Sequence, residues 1–472
     1  MGQRLSNTES FMWSLGQDPN LASTMGLVSI LESAPERQRL HNTITNLVAK
    51  VERLRLKVND PLGVTGPLSQ LEWVVDTQFD LDHHLRMVNI DGSDGSDDGV
   101  APEPTGPELR RLATQFVNDP FDRTRPLWQF LVVTGLAEGK AALLSKFHHS
   151  ISDGAGLVRL ALHLLEFEQL EHGPEAIDLD DLFQAEDDEV GDGFDDRLRS
   201  GAERILDVLR EMPSPNKLWE IGEGALASAK AAGVQLSGEP KSSTLWSRRS
   251  RNRRFEMLDE SLESIKDRAR ELEVSVNDLF VAACAQAAVH YHEEYDIDLE
   301  RVLATVVINV QPERTNDPAE LGQDDNTFLP VSIEIPGAGV DAEERLAVIR
   351  SEVKTKRTML EGRTDALDAL SSLGNFMPPP MAAAITLGQA SRVDFATSNV
   401  AGVPIPTWFA GRRVEAMYPM GPVTGTAFNI TMNTYDQRAF FGIHIDPAAV
   451  HDPHLLAKSI GLSFRELGVE RS

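Results

Sequence analysis

The stretch Leu143-Leu-Ser-Lys-Phe-His-His-Ser-Ile-Ser-Asp-Gly-Ala-Gly156 constrains this chain more than any other. An apolar run ends in His148 and His149, Asp153 and Gly154 turn the backbone, and Leu157, Leu160, Ala161, Leu164 and Leu165 then recur with helical period. That order predicts a strand, a turn and a helix with one buried face, the building unit of a layered α/β domain. Consecutive strand residues point to opposite faces, so the two histidines cannot do the same job or easily clamp one metal. One should face a cleft and the other the interior. A histidine whose pKa lies near working pH is the usual group to take a hydroxyl proton and later return it. Asp153 suits a turn held by hydrogen bonds or a salt bridge, and Gly154 permits close backbone approach. Two satisfied structural histidines are the plain alternative. The complete string His-His-x-x-x-Asp-Gly on a strand-turn-helix weighs toward catalysis.

Around this unit, residues 1–170 alternate strand-like and helix-like segments. Pro107 to Val117 reads as a helix with proline at its first position, and Leu127 to Thr134 and Ala142 to Phe147 read as strands. Asp91 to Gly99 reads as a solvated Gly/Ser/Asp loop, because it lacks the later Glu and the spacing of a calcium loop. Between Glu171 and Asp196 lie twelve acidic residues and no Lys or Arg, the composition of a linker. Helices are expected at 197–210 and 216–231, so 171–245 is taken as an acidic and helical connection. The second half, 246–472, is expected to open with helices from Asp259 to Leu272 and from Asn277 to about Glu294. Strands should follow at Val302–Val310, Phe328–Ile335, Phe395–Asn399, Thr426–Tyr435 and Ala439–Ile445. The halves match in size and element order, which suggests two α/β lobes.

Several function classes are excluded. The formal charge of −28 opposes nucleic-acid binding, where Lys and Arg must neutralise phosphates. A single cysteine, Cys284, rules out an intramolecular disulfide framework and a thiolate-rich zinc site; its small-residue helical run marks it as a packed thiol. No stretch approaches the ~20 apolar residues that cross a bilayer, so a soluble or peripheral protein is expected. Met1-Gly-Gln-Arg-Leu-Ser6 fits a permissive myristoylation pattern that chance matches often satisfy. There is no Gly-x-Ser-x-Gly elbow, His-Glu-x-x-His helix or phosphate loop.

Other residues carry two readings each. Ser275-Val-Asn-Asp278 fits a capping box, and Asn277 and Asp278 equally suit a site-facing role. Trp128 packs behind the site rather than reacting. His83 and His84 are surface or structural, and His290 and His292 face different directions on a helix. Five arginines between Arg248 and Arg254 form a solvated face or a local anion site within an acidic protein. Asn375 to Leu387 is apolar and proline-interrupted, suited to core, a lipid tunnel or a membrane contact.

His148-His-Ser-Ile-Ser-Asp-Gly154 resembles the active-site motif of the chloramphenicol-acetyltransferase-like superfamily. The flanks make the chain similar to the bacterial wax ester synthase/diacylglycerol acyltransferase family. They are Leu5-Ser-Asn-Thr-Glu-Ser-Phe11, Phe79-Asp-Leu-Asp-His-His-Leu-Arg86, Arg125-Pro-Leu-Trp128, Val276-Asn-Asp-Leu279, Thr397-Ser-Asn-Val-Ala-Gly402 and Phe428-Asn-Ile-Thr431. Two departures stand out. Thr24-Met-Gly-Leu27 replaces the family's Met-His-Val-Gly, and the Asp-Phe-Gly-Trp-Gly of plant relatives is missing. Carrier-protein-dependent condensation domains usually sit in giant chains, whereas a module that stands by itself is expected here.

The resemblance implies two lobes with mixed sheets flanked by helices and an active-site tunnel between them. It implies acyl transfer from acyl-CoA, a co-substrate rather than a resident cofactor, to a lipid hydroxyl, with no metal. His149 would be the base. His148 and Asp153 would hold the loop, with Gly154, Asn277, Asp278, Trp128 and Asn399 in support. A cytoplasmic protein, peripheral on a membrane or lipid inclusion, fits such substrates. The alternatives are a sugar, polyketide or amine acceptor, or an inactive lipid-binding homologue.

Overall fold

The computed structural model describes residues 3–60, 71–91, 101–151, 160–170, 172–175, 177, 179, 243–309, 328–360, 375 and 379–470. The expected helices at 197–210 and 216–231, the 91–99 loop beyond Asp91, Asp153 and Gly154 lie outside these residues.

A short sheet joins β1 (Gln3–Arg4), β3 (Leu56–Asn59) and β4 (Glu72–Val75). The first six-stranded sheet contains β2 (Thr24–Leu31), β5 (Leu85–Asn89), β6 (Trp128–Thr134) and β7 (Ala141–His148). All of β7 and nearly all of β6 are buried, as expected of central strands covered on both faces. Around this sheet lie α1 (Asn7–Leu15), α2 (Arg37–Lys50), α3 (Leu81–His84) and α4 (Pro107–Asn118). A Ser6/Glu9 capping box starts α1, and Pro107 occupies the first turn of α4, where its missing N–H costs nothing. The residues after the motif helix are strapped to α2: Arg39, Asn42 and Asn46 donate to the carbonyls of Leu170, Pro174 and Glu175 at 2.9, 3.1 and 2.7 Å.

The second six-stranded sheet runs β10-β9-β11-β14-β15-β8. Its strands are β8 (Arg254–Ser261), β9 (Arg301–Asn309), β10 (Phe328–Pro336), β11 (Phe395–Val400), β14 (Phe428–Tyr435) and β15 (Arg438–Ile445). On it pack α5 (Leu262–Glu271), α6 (Val276–Glu293), α7 (Ala342–Leu360) and α9 (Pro453–Glu466), while α8 (Pro379–Ala390) lies toward α1. α6 is apolar nearly all round and buried as the core helix of this lobe. Among the described residues no single helix is long and apolar enough to cross a membrane.

Two features depart from the sequence reading. The helix expected from Asp259 begins at Leu262. Asp259, Glu260 and Ser261 instead finish β8, because β15 pairs with them, and Ser261 then caps the helix. The second half also lends β12 (Trp408–Phe409) and β13 (Arg412–Met420) to the first sheet, where β13 pairs antiparallel with β2. β13 lies at once against β14 and β15, so it stitches the lobes together.

Candidate active site

β2 and β7 run antiparallel in register, with Thr24 opposite His148, and the chain leaves β7 at His149. The His149 amide donates to the Ser23 carbonyl at 2.8 Å, which continues the ladder one residue past the strand, and its side chain is half-buried. His148 is buried. Its Nδ1 lies 2.8 Å from Ser150 Oγ and accepts the Ser150 N–H at 3.2 Å, so the ring is neutral with its hydrogen on Nε2. Trp13 and Phe121 meet this ring edge-on, at 6.4 and 6.2 Å between centroids. Each of those rings carries a cation on its face: Arg123 at 3.6 Å from Trp13, Lys146 at 4.7 Å from Phe121. Burial, with Arg123 and His149 adding like charge nearby, pushes the His148 pKa down to about 3. Gly16, just past α1, leaves room for it: a Cβ there would sit 2.7 Å from His148 Nε2. The adjacent histidines thus differ in surroundings, His148 sealed and neutral and His149 half-buried one residue past β7.

The other candidate residues are spread more widely. Trp128 is fully buried, its indole N–H donating to the Leu54 carbonyl at 2.8 Å. It stacks on His84, which stacks in turn on Phe79. This aromatic pile starts on β6, where Trp128 pairs with Phe147 of β7. Asp278 completes the capping box with Ser275 in both directions, and Asn277 beside it is half-buried. Asn399 is exposed near the end of β11. Cys284 is sealed in the core of the second lobe, and burial raises its pKa. Among the described residues no group of three metal-ligating side chains occurs. A cavity of about 490 Å³ lies elsewhere, lined by Arg39, Leu170, Gly411 and Arg412, and its lining does not include His149.

Sequence reasoning missed His444. It lies within the strand run read as Ala439–Ile445, and nothing local distinguishes it. In the structure it faces Asn429 across β15 and β14, donates from Nδ1 to the Gly421 carbonyl at 2.9 Å, and lies with Nε2 3.3 Å from the Asn118 amide of α4. It therefore joins the lobes at the same end of the first sheet from which His149 emerges, since Met420 pairs with Gly26 and Gly26 with Lys146. Burial lowers its pKa to about 4. β14 alternates here: Ile430 and Met432 enter the second core, while buried Asn429, Thr431 and Asn433 point the other way, and the Asn433 amide reaches the Met417 carbonyl of β13 at 3.5 Å.

Three buried histidines held neutral, His84, His148 and His444, have a consequence for pH. Their folded pKa values, about 4, 3 and 4, lie below the unfolded value near 6.5. Between those limits the unfolded chain binds protons that the folded chain refuses, so stability falls as pH falls through 6.5. Each histidine contributes about 1.4 kcal/mol per pH unit in that window. Glu256, whose pKa is raised by burial, opposes them with one proton. Urea unfolding at pH 7.5, 6.5 and 5.5 should give steadily lower midpoints; a flat or rising series would contradict this account.

Residues 5–280 match the wax ester synthase/diacylglycerol acyltransferase catalytic domain, and residues 325–468 match the WS/DGAT C-terminal domain. A Mycobacterium tuberculosis protein named "Probable diacylglycerol O-acyltransferase" is 26% identical over 457 residues, which is 94% of this chain and 90% of that one. Among solved structures, the wax ester synthase/diacylglycerol acyltransferase from Marinobacter aquaeolei VT8 superposes with a TM-score of 0.63. It is 20% identical, and the match covers 98% of each chain. The starter condensation domain of rhizomide synthetase, solved with C8-CoA, superposes with a TM-score of 0.58 at 11% identity, covering 99% of this chain and 95% of that one. Both share the two-lobed chloramphenicol-acetyltransferase-like architecture.

Proposed function

This chain belongs to the wax ester synthase/diacylglycerol acyltransferase family, and from that premise we propose that it transfers a long-chain acyl group from acyl-CoA to a lipid hydroxyl. The acceptor is diacylglycerol, a fatty alcohol, or both. The observation that carries this reading is the division of labour at the end of β7. A histidine that must cycle its proton needs solvent or substrate on one side and a fixed backbone on the other. His149 has a fixed amide and a half-buried ring, whereas His148 is locked neutral.

In the proposed reaction His149 takes the proton of the acceptor hydroxyl as its oxygen attacks the thioester carbonyl. The tetrahedral intermediate collapses with cleavage of the carbon–sulfur bond. The imidazolium gives the same proton to the departing thiolate, which leaves ester and free CoA thiol. No acyl-enzyme is needed, because holding donor and acceptor together removes much of the entropic barrier. His148, by accepting the Ser150 N–H, fixes the turn on which His149 stands. For Asp153, outside the described residues, the role is the one the resemblance implies, holding the loop geometry.

Acyl-CoA as donor is supported by the related condensation domain that holds C8-CoA, and diacylglycerol as acceptor by the name of the mycobacterial relative. Substrates of this kind partition into lipid, which fits a cytoplasmic protein resting on a membrane or lipid inclusion. The outward face of α8 suits such contact: the helix carries no charge, and Met381 and Ile385 are 54% and 38% exposed.

The test is thiol release from palmitoyl-CoA with a panel of acceptors. Dipalmitoylglycerol or hexadecanol should accelerate release and yield triacylglycerol or wax ester. Release only with a sugar, polyketide or amine acceptor would replace this assignment.

A further inference from the structure

The arginine cluster is neither a uniform solvated face nor a uniform structural element. Arg249 and Arg253 turn inward. Arg249 donates to the carbonyls of Trp246 and Gly425, both at 2.5 Å. Arg253, 8% exposed, donates to the Ser250 and Asn252 carbonyls at 2.7 and 2.8 Å and lies 3.7 Å from Asp446. Asp446, itself buried, accepts both the N–H and the hydroxyl of Ser250 at 2.6 Å. The segment is therefore a fixed turn whose shape is set by charge-assisted hydrogen bonds.

That turn leaves Arg248, Arg251 and Arg254 exposed. Among the described residues none of the three meets a carboxylate. In a chain with 73 acidic side chains, three exposed arginines make a local positive surface against the global sign. Arg248 and Arg251 lie on the turn, and Arg254 stands at the start of β8, where it donates to the Arg253 carbonyl at 3.1 Å. Guanidinium groups match phosphate oxygens in geometry as well as charge.

The position of this surface narrows the ligand. Gly425, which receives Arg249, packs against α8: a Cβ there would sit 3.2 Å from the Ala390 Cβ and 3.4 Å from Leu387. The earlier part of α8 packs through Ala382 and Ala383 with Phe11, Leu15 and Leu21, and the chain after Leu15 places Gly16 against His148. From Ala382 to Ala390 is about 12 Å of helix rise. One apolar helix thus separates the arginine turn from the histidine strand. A ligand spanning that interval needs a reactive group at one end, a long thin arm, and several negative charges at the other.

We propose that Arg248, Arg251 and Arg254 receive the phosphates of the acyl-CoA donor, with the pantetheine arm running past α8 toward His149. The proposal rests on the reading of acyl-CoA as donor and adds where its nucleotide end binds.

The test compares wild type with R248Q/R251Q/R254Q and with the triple lysine variant. Calorimetry with free CoA should show at least about tenfold weaker binding by the glutamine variant and near-wild-type binding by the lysine variant. The KM for palmitoyl-CoA should rise by a similar factor with kcat retained. Palmitoyl-N-acetylcysteamine, which has no phosphates, should serve wild type and glutamine variant equally. Unchanged CoA affinity in the glutamine variant, with turnover intact, overturns this site and leaves the donor reading standing. So does equal loss with both thioesters, the mark of general damage. Loss of binding to phosphatidylglycerol/phosphatidylcholine vesicles with CoA affinity unchanged would assign the turn to lipid headgroups instead. A wild-type protein that binds no CoA would overturn the site and the donor reading together.

Discussion

Replacing His149 with alanine is expected to slow acyl transfer by roughly two to four orders of magnitude, the range supplied by a positioned general base. The KM values should change little, because the imidazole acts on a proton that moves only in the transition state. The loss is read as kcat for ester formation from palmitoyl-CoA and the best acceptor. Folding should be unaffected, since the half-buried ring lies past the end of β7 while the His149 backbone bond to Ser23 is kept. A variant that turns over within twofold of wild type would remove His149 from the mechanism. His148 could not then take its place unaltered, because burial keeps that ring from binding a proton at working pH.

Gly442→Ala should be strongly destabilising, because an added Cβ there meets backbone more closely than at any other glycine of the described residues. At Gly442, β15 of the second sheet runs directly under β13 of the first, and an added Cβ would overlap the Pro419 carbonyl oxygen. Backbone cannot rotate away as a side chain can, so the strands must separate or the sheets shift. Overpacking of this kind costs about 3 kcal/mol. Gly461→Ala is the matched control. Its Cβ would meet only Leu258 at 3.7 Å and the end of Glu260 at 3.9 Å, within a helix. It should be neutral or stabilise by up to about 1 kcal/mol. Urea midpoints for the two variants should therefore move apart. Equal midpoints would mean that the lobes are not held by this crossing.

The same crossing explains which parts of the molecule are legible one residue after another. α4 begins at Pro107, β7 ends at His148, and α6 runs over the small-residue stretch, all as local pattern predicts. Capping and hydrophobic period act over a few neighbours, so the sequence states them outright. That His148 and His149 differ is legible in strand alternation, but which of them is sealed is set by the packing of Trp13, Phe121 and Gly16 around His148. The polar composition of Asp259 to Ser261 suits a helix start, while their conformation is set by pairing with β15 about 180 residues later.

Alternation along the arginine run is hidden for a similar reason. Arg249 and Arg253 turn inward because carbonyls of Gly425, Ser250 and Asn252, and the Asp446 carboxylate, are waiting there. Two of those partners come from the far end of the chain. His444 gives no local signal at all, and its role as a bridge to Asn118 exists only once the lobes meet. By itself, then, the sequence determined the elements, the histidine strand and the family to which they belong, because each depends on contacts between near neighbours. Tertiary structure alone decided that β13 would cross between lobes, which arginines would face solvent, and what would keep His148 neutral. Those outcomes depend on burial and charge brought together from distances of tens to hundreds of residues, where no local pattern reaches.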